Sequence, residues 1–203
     1  MTIAAILLAA GESRRMGAPK ALLPWGDQTL LAWEIEQLQA SSVDEIVVVL
    51  GARSEEIRRS LGTAARYCIF NQRWPHGRST SLAKGAAALL RGGREAPEAT
   101  VIQNVDQPTR ADIIDDLVGR LRTDNLDAVQ PQRDGHGGHP VVVSGTVLPL
   151  LLGADEATFG LRGVLQRHPP TKVPMEDEPV VSLDLDTPET VAPARALLGV
   201  PEP

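Results

Sequence analysis

The length and composition of this 203-residue chain predict a soluble globular protein formed by one domain, residues 1–203. Apolar residues make up 42% of the sequence, and the net charge of −6 argues against a nucleic-acid partner, since such binding surfaces are usually basic. No stretch reaches the roughly 18 apolar residues of a membrane span, and the first residues lack a signal-peptide pattern, so we expect a cytoplasmic protein with no membrane partner.

The single cysteine, Cys68, excludes an intramolecular disulfide, and its apolar neighbours predict a buried structural thiol.

The first predicted element is a buried strand that runs into a small, basic loop. Ile3–Leu8 is nearly all apolar, which is typical of a strand covered on both faces in a parallel sheet. In the loop Ala9–Gly17, glycines permit a ligand to approach the backbone, while Arg14, Arg15 and the nearby Lys20 add positive charge. Such a loop suits a triphosphate, although a strand followed by a solvated basic turn has the same spacing. The loop has neither a Walker ending nor the G-x-G-x-x-G dinucleotide fingerprint.

The next elements alternate between helix and strand. Apolar residues at helical spacing predict a helix over Thr29–Ala40, and Ile46–Leu50 is a second buried strand. Ser54 and the two acids after it predict the start of a second helix with Ser54 as its cap. Arg66–Phe70 is a third, shorter strand. This alternation predicts an α/β protein with a parallel sheet and right-handed crossovers.

The segment Asn71–Gly85 predicts a polar loop that leads into a helix. Ser79–Ser81 can cap a helix that continues to about Leu90, so hydroxyl and N–H groups would lie at the carboxyl edge of a strand, where ligands bind in open α/β sheets. A plain capping role for Ser79 explains the same residues. His76 has no nearby acid to orient it, and we interpret it as a loop residue.

A further strand, Thr100–Val105, runs directly into Asp106-Gln107-Pro108. An acid at the carboxyl end of a strand is well placed for a ligand crevice, and Mg²⁺ is commonly held by one or two carboxylates together with substrate phosphates. Asp106 is therefore a candidate metal ligand, and the alternative is a solvated turn aspartate.

The second half of the chain begins with an amphipathic helix over Ala111–Leu121. Strands are predicted at Asp127–Gln130 and Val141–Val143, and the glycine-rich turn between them carries His136 and His139. The glycines between the two histidines argue against a fixed zinc cage.

The last part of the chain predicts a helix that starts at Phe159 and a final strand at Val180–Leu183. Alternation along an extended segment would put Asp184 and Asp186 on one side. Thr187 is a candidate cap for the final helix, and a cap with a nearby acid accounts for Asp186 without any metal.

Five motifs, spread in order along nearly the whole chain, carry a family resemblance. They are LLAAGESRRMGAPKALLPWG, the N-x-x-W/P-x-x-G-x-x-x-S-L segment from Asn71, the D-Q-P at Asp106, the G-x-x-G-H-P-V that ends at Val141, and the D-x-D-T-P-E from Asp184. Together they resemble the signature of the MobA-like nucleotidyltransferases, most closely the branch of molybdenum cofactor cytidylyltransferases. The resemblance implies a three-layer α/β/α Rossmann-like nucleotidyltransferase fold with a mainly parallel mixed sheet.

The resemblance also implies site residues. The loop would wrap a nucleoside triphosphate, with Arg15 and Lys20 on its phosphates as catalytic groups beside Asp106, and the helix start would lie near base and ribose. Asp106 and Asp186 would hold the metal, with Asp184 as the alternative to Asp186. Gln107 and His139 would face the second substrate, and His136 is a weaker candidate. A leucine, Leu161, stands where the family has a small residue, which leaves Arg162 without an assigned role. The implied nucleotide-binding residues are Leu8, Ala9, Ala10, Gly11, Glu12, Ser13, Arg14, Arg15, Lys20, Gly77, Arg78 and Ser81.

The implied reaction is Mg²⁺-dependent transfer of CMP from CTP to a phosphorylated acceptor, with molybdopterin as first choice and release of pyrophosphate; Mn²⁺ is an alternative metal. Guanylyltransferases of the family usually read A-G-G where this chain has Ala9-Ala10-Gly11, so Ala10 favours CTP over another nucleoside triphosphate. One alternative function is a guanylyl- or other nucleotidyltransferase with a different phosphorylated acceptor. A second alternative is a non-catalytic cofactor-binding chaperone for a molybdenum hydroxylase. A third, an NAD-dependent oxidoreductase, fits the alternation of elements but lacks the glycine fingerprint.

Overall fold

The structure, a computed structural model, describes residues 2–154, 157 and 160–202, and only the backbone of Arg14. The strands of its sheets are β1 (Ile3–Ala9), β2 (Pro24–Trp25), β3 (Gln28–Thr29), β4 (Glu45–Leu50), β5 (Cys68–Phe70), β6 (Ala99–Asn104), β7 (Ala128–Arg133), β8 (His136–Gly137), β9 (Val141–Ser144) and β10 (Thr171–Pro174). The α-helices are α1 (Leu30–Ala40), α2 (Ser54–Ser60), α3 (Arg78–Leu89), α4 (Ala111–Thr123), α5 (Gly160–Arg167) and α6 (Val191–Leu198).

The central sheet is mixed and mostly parallel, as predicted. Its strand order is β10-β7-β9-β6-β1-β4-β5, and β8 pairs with β7. β1 lies between β6 and β4 and is parallel to both, whereas β9 is antiparallel to β6 and β7. The carboxyl ends of β1, β4 and β6 therefore meet at one edge of the sheet.

Helices cover both faces of the sheet, which confirms the predicted three-layer architecture. Alternate residues of β1 enter two different cores, because successive side chains of a strand point to opposite faces. Helices α1, α2, α4 and α6 contribute to one core, and α3 and α5 contribute to the other. Every residue of β1 is buried, as predicted for a strand covered on both faces.

Cys68 is buried in the first of these cores, as predicted. Burial raises the pKa of its thiol to about 11, with the nearby Arg58 guanidinium opposing the shift. A thiol with that pKa is protonated near neutral pH, so it is a structural group and a poor nucleophile.

The predicted strand at Val180–Leu183 is wrong. The segment Pro179–Ser182 is a short 3-10 helix, and the strand in this part of the chain is β10, which pairs with β7. Val180 and Val181 are nonetheless buried. A run of apolar residues indicates that the segment is buried, but it does not distinguish a strand from another kind of buried segment.

Several predicted caps are also wrong. The cap residue of α2 is Arg53, with a left-handed φ of 52°, and Ser54 is the first helical residue. Likewise α3 begins at Arg78 after Gly77, so Ser79–Ser81 lie inside the first turn. Thr187 precedes a 3-10 turn and makes no side-chain cap bond. The third strand is shorter than predicted, because a 3-10 helix continues up to β5.

The predicted helix start at Phe159 lies outside the described residues, and α5 is described from Gly160. Within the described part of the chain, no helix is both long and apolar enough to cross a membrane.

Candidate active site

The loop after β1 is pinned to the end of β4. The Ala52 N–H donates to the Ala10 carbonyl oxygen at 3.1 Å. This approach requires glycine at position 51, because a Cβ there would lie 2.5 Å from that same oxygen and 2.6 Å from the Cβ of Trp74. The loop is closed at its other end by Ser13, whose Oγ accepts the Lys20 N–H at 3.0 Å. The backbone of the loop is thus held beside the sheet edge before any ligand arrives.

Three aspartates meet at the same edge. Asp106 follows β6, and its carbonyl oxygen accepts the Leu185 N–H at 2.8 Å, which fastens the late segment carrying Asp184 and Asp186 next to the strand end. One carboxylate oxygen from each aspartate lies within 4.8 Å of the others. This is the one cluster of its kind among the described residues. Carboxylate oxygens are the ligands that Mg²⁺ and Mn²⁺ prefer, so this donor set fits a divalent cation.

Two cations are paired with these acids. The Lys20 Nζ lies 3.0 Å from both an Asp106 oxygen and an Asp186 oxygen, and the Arg15 Nη1 lies 3.0 Å from the other Asp186 oxygen. The side chain of Lys20 is 10% exposed and that of Arg15 is 73% exposed. Lys20 therefore bridges the two predicted metal ligands from within the protein, and Arg15 reaches them from the solvent side.

The two late aspartates have opposite pKa shifts. The hydrogen bond from Lys20, followed by the charges of Lys20 and Arg15, lowers the pKa of Asp186. Desolvation, followed by repulsion from Asp106 and Asp186, raises the pKa of Asp184. A further cation at the cluster would therefore offset the repulsion that acts on Asp184.

A cavity of about 460 Å³ opens above the sheet edge and brings most of the predicted site residues together. Its walls include the loop after β1, the start of α3, and the Lys20–Asp106–Asp186 group. The predicted residues that line it are Leu8, Ala9, Ala10, Gly11, Glu12, Ser13, Arg15, Lys20, Gly77, Arg78, Ser81, Asp106 and Asp186. The side chain of Arg14, also predicted, lies outside the described residues.

The start of α3 is held by a buried asparagine. The Asn71 Nδ2 donates to Thr80 Oγ1 and to Ser81 Oγ, both at 2.9 Å. Gly77, with a φ of 115°, turns the chain into the helix. The first turn of a 12-residue helix therefore faces the cavity, and its N–H groups favour anionic ligands there.

His139 belongs to the wall of a second cavity, of about 340 Å³. The charges of Asp106 and Arg78, which line the first cavity, both act on its imidazole. Desolvation is the largest effect and lowers the pKa of His139, so the ring is neutral near pH 7. His136 is exposed, and its Nδ1 lies 2.8 Å from the Asp134 carbonyl oxygen.

The second cavity is lined by apolar and amide side chains and by the guanidinium side chain of Arg162. A close backbone contact shapes one side of it: a Cβ at Gly138 would lie 2.2 Å from the Val181 carbonyl oxygen, so the 3-10 segment packs directly on the glycine turn. Gln107 lines neither cavity, and its Oε1 accepts a bond from the Asn104 Nδ2 at 2.5 Å. The residues of the second cavity are Gln130, Gly137, Gly138, His139, Val141, Leu161, Arg162, Leu165, Gln166 and Pro170.

Sequence reasoning missed several residues of the first cavity. Trp74 and Pro75 lie within the predicted polar loop, and the signal that could have marked them is a large aromatic side chain in an otherwise polar segment. Asn104 ends β6 two positions before the predicted motif, which begins at Asp106. The remaining unpredicted residues are Pro19, Ala21, Ile57 and Val105.

Comparison with known proteins decides the family. The model of the MobA-like NTP transferase domain matches residues 5–173. This chain belongs to that family. The predicted enzyme class, a nucleotidyltransferase, is thereby confirmed.

The relatives include two curated proteins that cover most of the chain. Molybdenum cofactor cytidylyltransferase of Escherichia coli (strain K12) is 30% identical over 192 residues, which is 94% of this chain and 94% of that protein. Nicotine blue oxidoreductase of Paenarthrobacter nicotinovorans is 26% identical over 174 residues, which is 82% of this chain and 83% of that protein. The chain is thus also similar to a protein that is named for a different class of reaction.

The fold is shared with Rv0371c from Mycobacterium tuberculosis H37Rv, at a TM-score of 0.80 and 22% identity over 97% of this chain and 98% of that one. A structure of the same protein in complex with manganese has a TM-score of 0.75 at 20% identity, over 97% of this chain and 99% of that one. Nucleotidyltransferases of this kind use divalent metals, and the aspartate cluster of this chain suits one.

Proposed function

We propose that this chain, as one domain over residues 1–203, transfers CMP from CTP to a phosphorylated acceptor, with molybdopterin as the first candidate, and releases pyrophosphate. The observation that carries the proposal is the grouping of Lys20 and Arg15 with Asp106 and Asp186 in one cavity at the sheet edge. In one cavity, the cations can bind a polyphosphate and the carboxylates can bind its metal ion. The relationship to the Escherichia coli cytidylyltransferase supports CTP and molybdopterin as substrates.

In this proposal Lys20 and Arg15 act on the phosphates. Both cations can turn from the aspartates to the triphosphate, because their amino and guanidinium groups already lie at the cavity wall. A phosphate oxygen of the acceptor attacks the α-phosphorus, a new P–O bond forms, and the bond to the bridging oxygen breaks. The electron pair leaves with pyrophosphate, whose developing charge the two cations stabilise.

No strong general base is required. A phosphate monoester is already anionic near neutral pH, so the attacking oxygen carries its own electron pair and no proton must be removed. Catalysis then depends on the positioning of the two substrates and on the neutralisation of phosphate charge. A cavity lined by a fixed backbone and by ion pairs agrees with this requirement.

Asp106 and Asp186 would hold the metal, with Asp184 as the alternative to Asp186. We propose Mg²⁺, with Mn²⁺ as the substitute, because oxygen ligands accept either ion. When bound, the ion would neutralise phosphate charge and orient the reacting groups.

The nucleotide would lie along the loop after β1, with its base and ribose toward Gly77, Arg78 and Ser81. Ala10 lines this cavity, and its methyl group is the proposed filter against a purine base. The N–H groups at the start of α3 would add to the positive field there.

The acceptor would occupy the second cavity, with His139 on the side of the reacting phosphate. Gln107, the other proposed acceptor residue, lines neither cavity and would act through its contact with Asn104. The second cavity opens beside His139, and this histidine is within the field of Asp106. Apolar walls with Gln130 and Gln166 would suit a ring system that both donates and accepts hydrogen bonds. A phosphorylated sugar or alcohol is the alternative acceptor.

The first test is pyrophosphate release with Mg²⁺ and each of CTP, GTP, ATP and UTP, with and without molybdopterin. Release with CTP plus molybdopterin alone would support the proposal in full. Release with GTP would favour a guanylyltransferase. Tight CTP binding without release from any nucleotide would favour a chaperone that delivers cofactor to a molybdenum hydroxylase, and would call for a screen of other phosphorylated acceptors.

We also propose a cytoplasmic location, with neither nucleic acid nor membrane as a partner, in agreement with the net charge of −6. The relationship to nicotine blue oxidoreductase makes one control necessary. NADH and NADPH oxidation should be measured in the same preparations, and oxidation that outpaces pyrophosphate release would contradict the transferase proposal.

A further inference from the structure

A pair of polar side chains lies in the apolar core between α1 and β6, and the proposed chemistry makes no use of it. Glu34 on α1 is fully buried, and Gln103 on β6 is 1% exposed. The Gln103 Nε2 donates to the Glu34 Oε1 at 3.4 Å. Gln103 lies three positions before Asp106, so the pair sits directly behind the strand end that carries the proposed metal ligand.

The two remaining oxygens of this pair have no partner. Neither Glu34 Oε2 nor Gln103 Oε1 is hydrogen-bonded among the described residues, and both atoms are buried. If Glu34 were ionised, each of these oxygens would be a buried acceptor without a donor, an arrangement that costs free energy. A proton on Glu34 Oε2 removes both deficits at once, because the acid can then donate to the amide oxygen while it accepts from the amide nitrogen.

The surroundings also disfavour a charge on Glu34. No Lys, Arg or His of the described chain forms an ion pair with it, in contrast to Asp106 and Asp186 at the cavity. Desolvation raises the pKa of the Glu34 carboxyl well above its usual range, repulsion from Asp106 raises it further, and the bond from Gln103 opposes the shift. The largest of these effects is burial, which does not depend on what occupies the aspartate cluster. Asp106 is the one charged group of the described chain whose field acts on Glu34.

We propose that Glu34 is held as a neutral acid in a reciprocal pair of hydrogen bonds with Gln103, and that this pair is a positioning element for the end of β6 and Asp106. The pair fixes α1 against β6 without adding a negative charge behind the aspartate cluster. The inference that Glu34 is protonated does not depend on the proposed function. The inference that the pair positions Asp106 as a metal ligand rests on that function.

Glu34→Gln tests the protonation. Glutamine has a carbonyl oxygen that accepts and two N–H donors, one of which can take the place of the acid proton, so it reproduces the reciprocal pair but does not titrate. A group whose pKa is raised by folding contributes stability that is fully present below its unfolded pKa and is lost as pH rises through its folded pKa. The wild-type unfolding equilibrium constant should therefore grow relative to that of Glu34→Gln by up to about tenfold per pH unit above pH ~4.5.

The measurement is urea unfolding of both proteins from pH 4.5 to 8, with Glu36→Gln as the control. Glu36 is exposed on the same helix, so its substitution should leave the pH dependence as in wild type. The proposal predicts that wild type and Glu34→Gln diverge with rising pH, with the variant more stable near pH 7. Parallel curves for these two proteins would overturn it.

Carbon-13 NMR gives a second, direct readout. The Glu34 side-chain carboxyl signal, assigned by its absence in Glu34→Gln, should keep the shift of a protonated acid at pH 7, with and without Mg²⁺. Titration of that signal near pH 4.5 would overturn the neutral pair.

The positioning role is tested with a variant in which the pair is replaced by apolar groups, Glu34→Leu with Gln103→Leu. Replacement of both partners removes the unsatisfied atoms, so a folded protein is expected. Binding of Mn²⁺ to the nucleotide-free protein, followed by electron paramagnetic resonance, should weaken about fivefold relative to wild type, while Glu34→Gln should bind as wild type does. Unchanged Mn²⁺ affinity in the double variant would overturn positioning. Because no turnover is needed, failure of the nucleotidyltransferase proposal would be seen separately, as absence of pyrophosphate release by wild type.

Discussion

The two cavities beside His139 differ in the way they are built. The first is walled by parallel-strand ends, ion pairs and a loop fastened by main-chain bonds, and two of the three clustered carboxylates, Asp106 and Asp186, line it. The second is walled by antiparallel strands and α5, with apolar and amide side chains together with His139 and Arg162. Carboxylates and cations pair with one another in the first cavity, where phosphate chemistry would occur. The second cavity, where an acceptor would bind, combines apolar and amide side chains with the guanidinium of Arg162. The comparison teaches that catalysis and acceptor selection can be altered separately in this fold.

The largest effect is expected from Asp106→Ala. Loss of this carboxylate removes a proposed metal ligand and one partner of Lys20, so Mg²⁺-dependent turnover should fall below detection. The fold should persist, because the bond from Leu185 uses the main-chain oxygen of residue 106. Turnover is measured as pyrophosphate release, and Asp116→Ala, an exposed aspartate of α4, is the matched control. Near-normal activity of the first variant would refute the metal assignment.

Lys20→Ala should lower turnover by roughly 10² to 10³, the usual scale for one preorganised charge-stabilising group. The reason is the loss of the buried ammonium that would stabilise pyrophosphate, and the effect should appear in kcat. Lys172→Ala, at an exposed position of β10, should behave as wild type. Normal kcat in Lys20→Ala would remove this residue from the catalytic group.

Gln130→Leu should alter the second cavity alone. The loss of an amide partner is expected to raise the KM for the acceptor about tenfold and to leave the KM for CTP unchanged. Gln132→Leu changes the same strand at a position that lines neither cavity, and should leave both constants as they are. Equal changes in the two KM values would contradict the assignment of separate cavities to the two substrates.

The smallest effect is expected from Ala10→Gly. Removal of one methyl group from the first cavity should lower the preference for CTP over GTP by roughly threefold to tenfold. The ratio of kcat/KM for the two nucleotides measures it. A preference that stays as in wild type would mean that another wall residue selects the base.

The first cavity was largely predictable from sequence because its parts are local. Two sequence patterns indicate the carboxyl edge of a parallel sheet. One is an apolar strand followed by a small basic loop, and the other is a strand followed by an aspartate and a proline. Lys20 and Asp106 are 86 positions apart, and their place in one site was implied by the family resemblance.

Other features could not be predicted because they depend on distant contacts. The hydroxyls of Thr80 and Ser81 are taken by Asn71, so they do not cap α3. Val180–Leu183 has the composition of a strand but packs as a 3-10 turn on Gly138. The edge strand β10 contains Lys172 and Pro174, which weaken its signal. Glu34 meets Gln103 across 69 positions, and nothing local in the sequence marks it as buried.

The most direct test of the central claim is to follow both products of CTP labelled at the α-phosphorus in the presence of molybdopterin and Mg²⁺. The account predicts that label appears in a CMP–molybdopterin phosphoanhydride in a one-to-one ratio with released pyrophosphate. It also predicts that Asp106→Ala yields neither product. CTP bound but recovered intact, with every phosphorylated acceptor tried, would contradict the claim that this chain transfers a nucleotide.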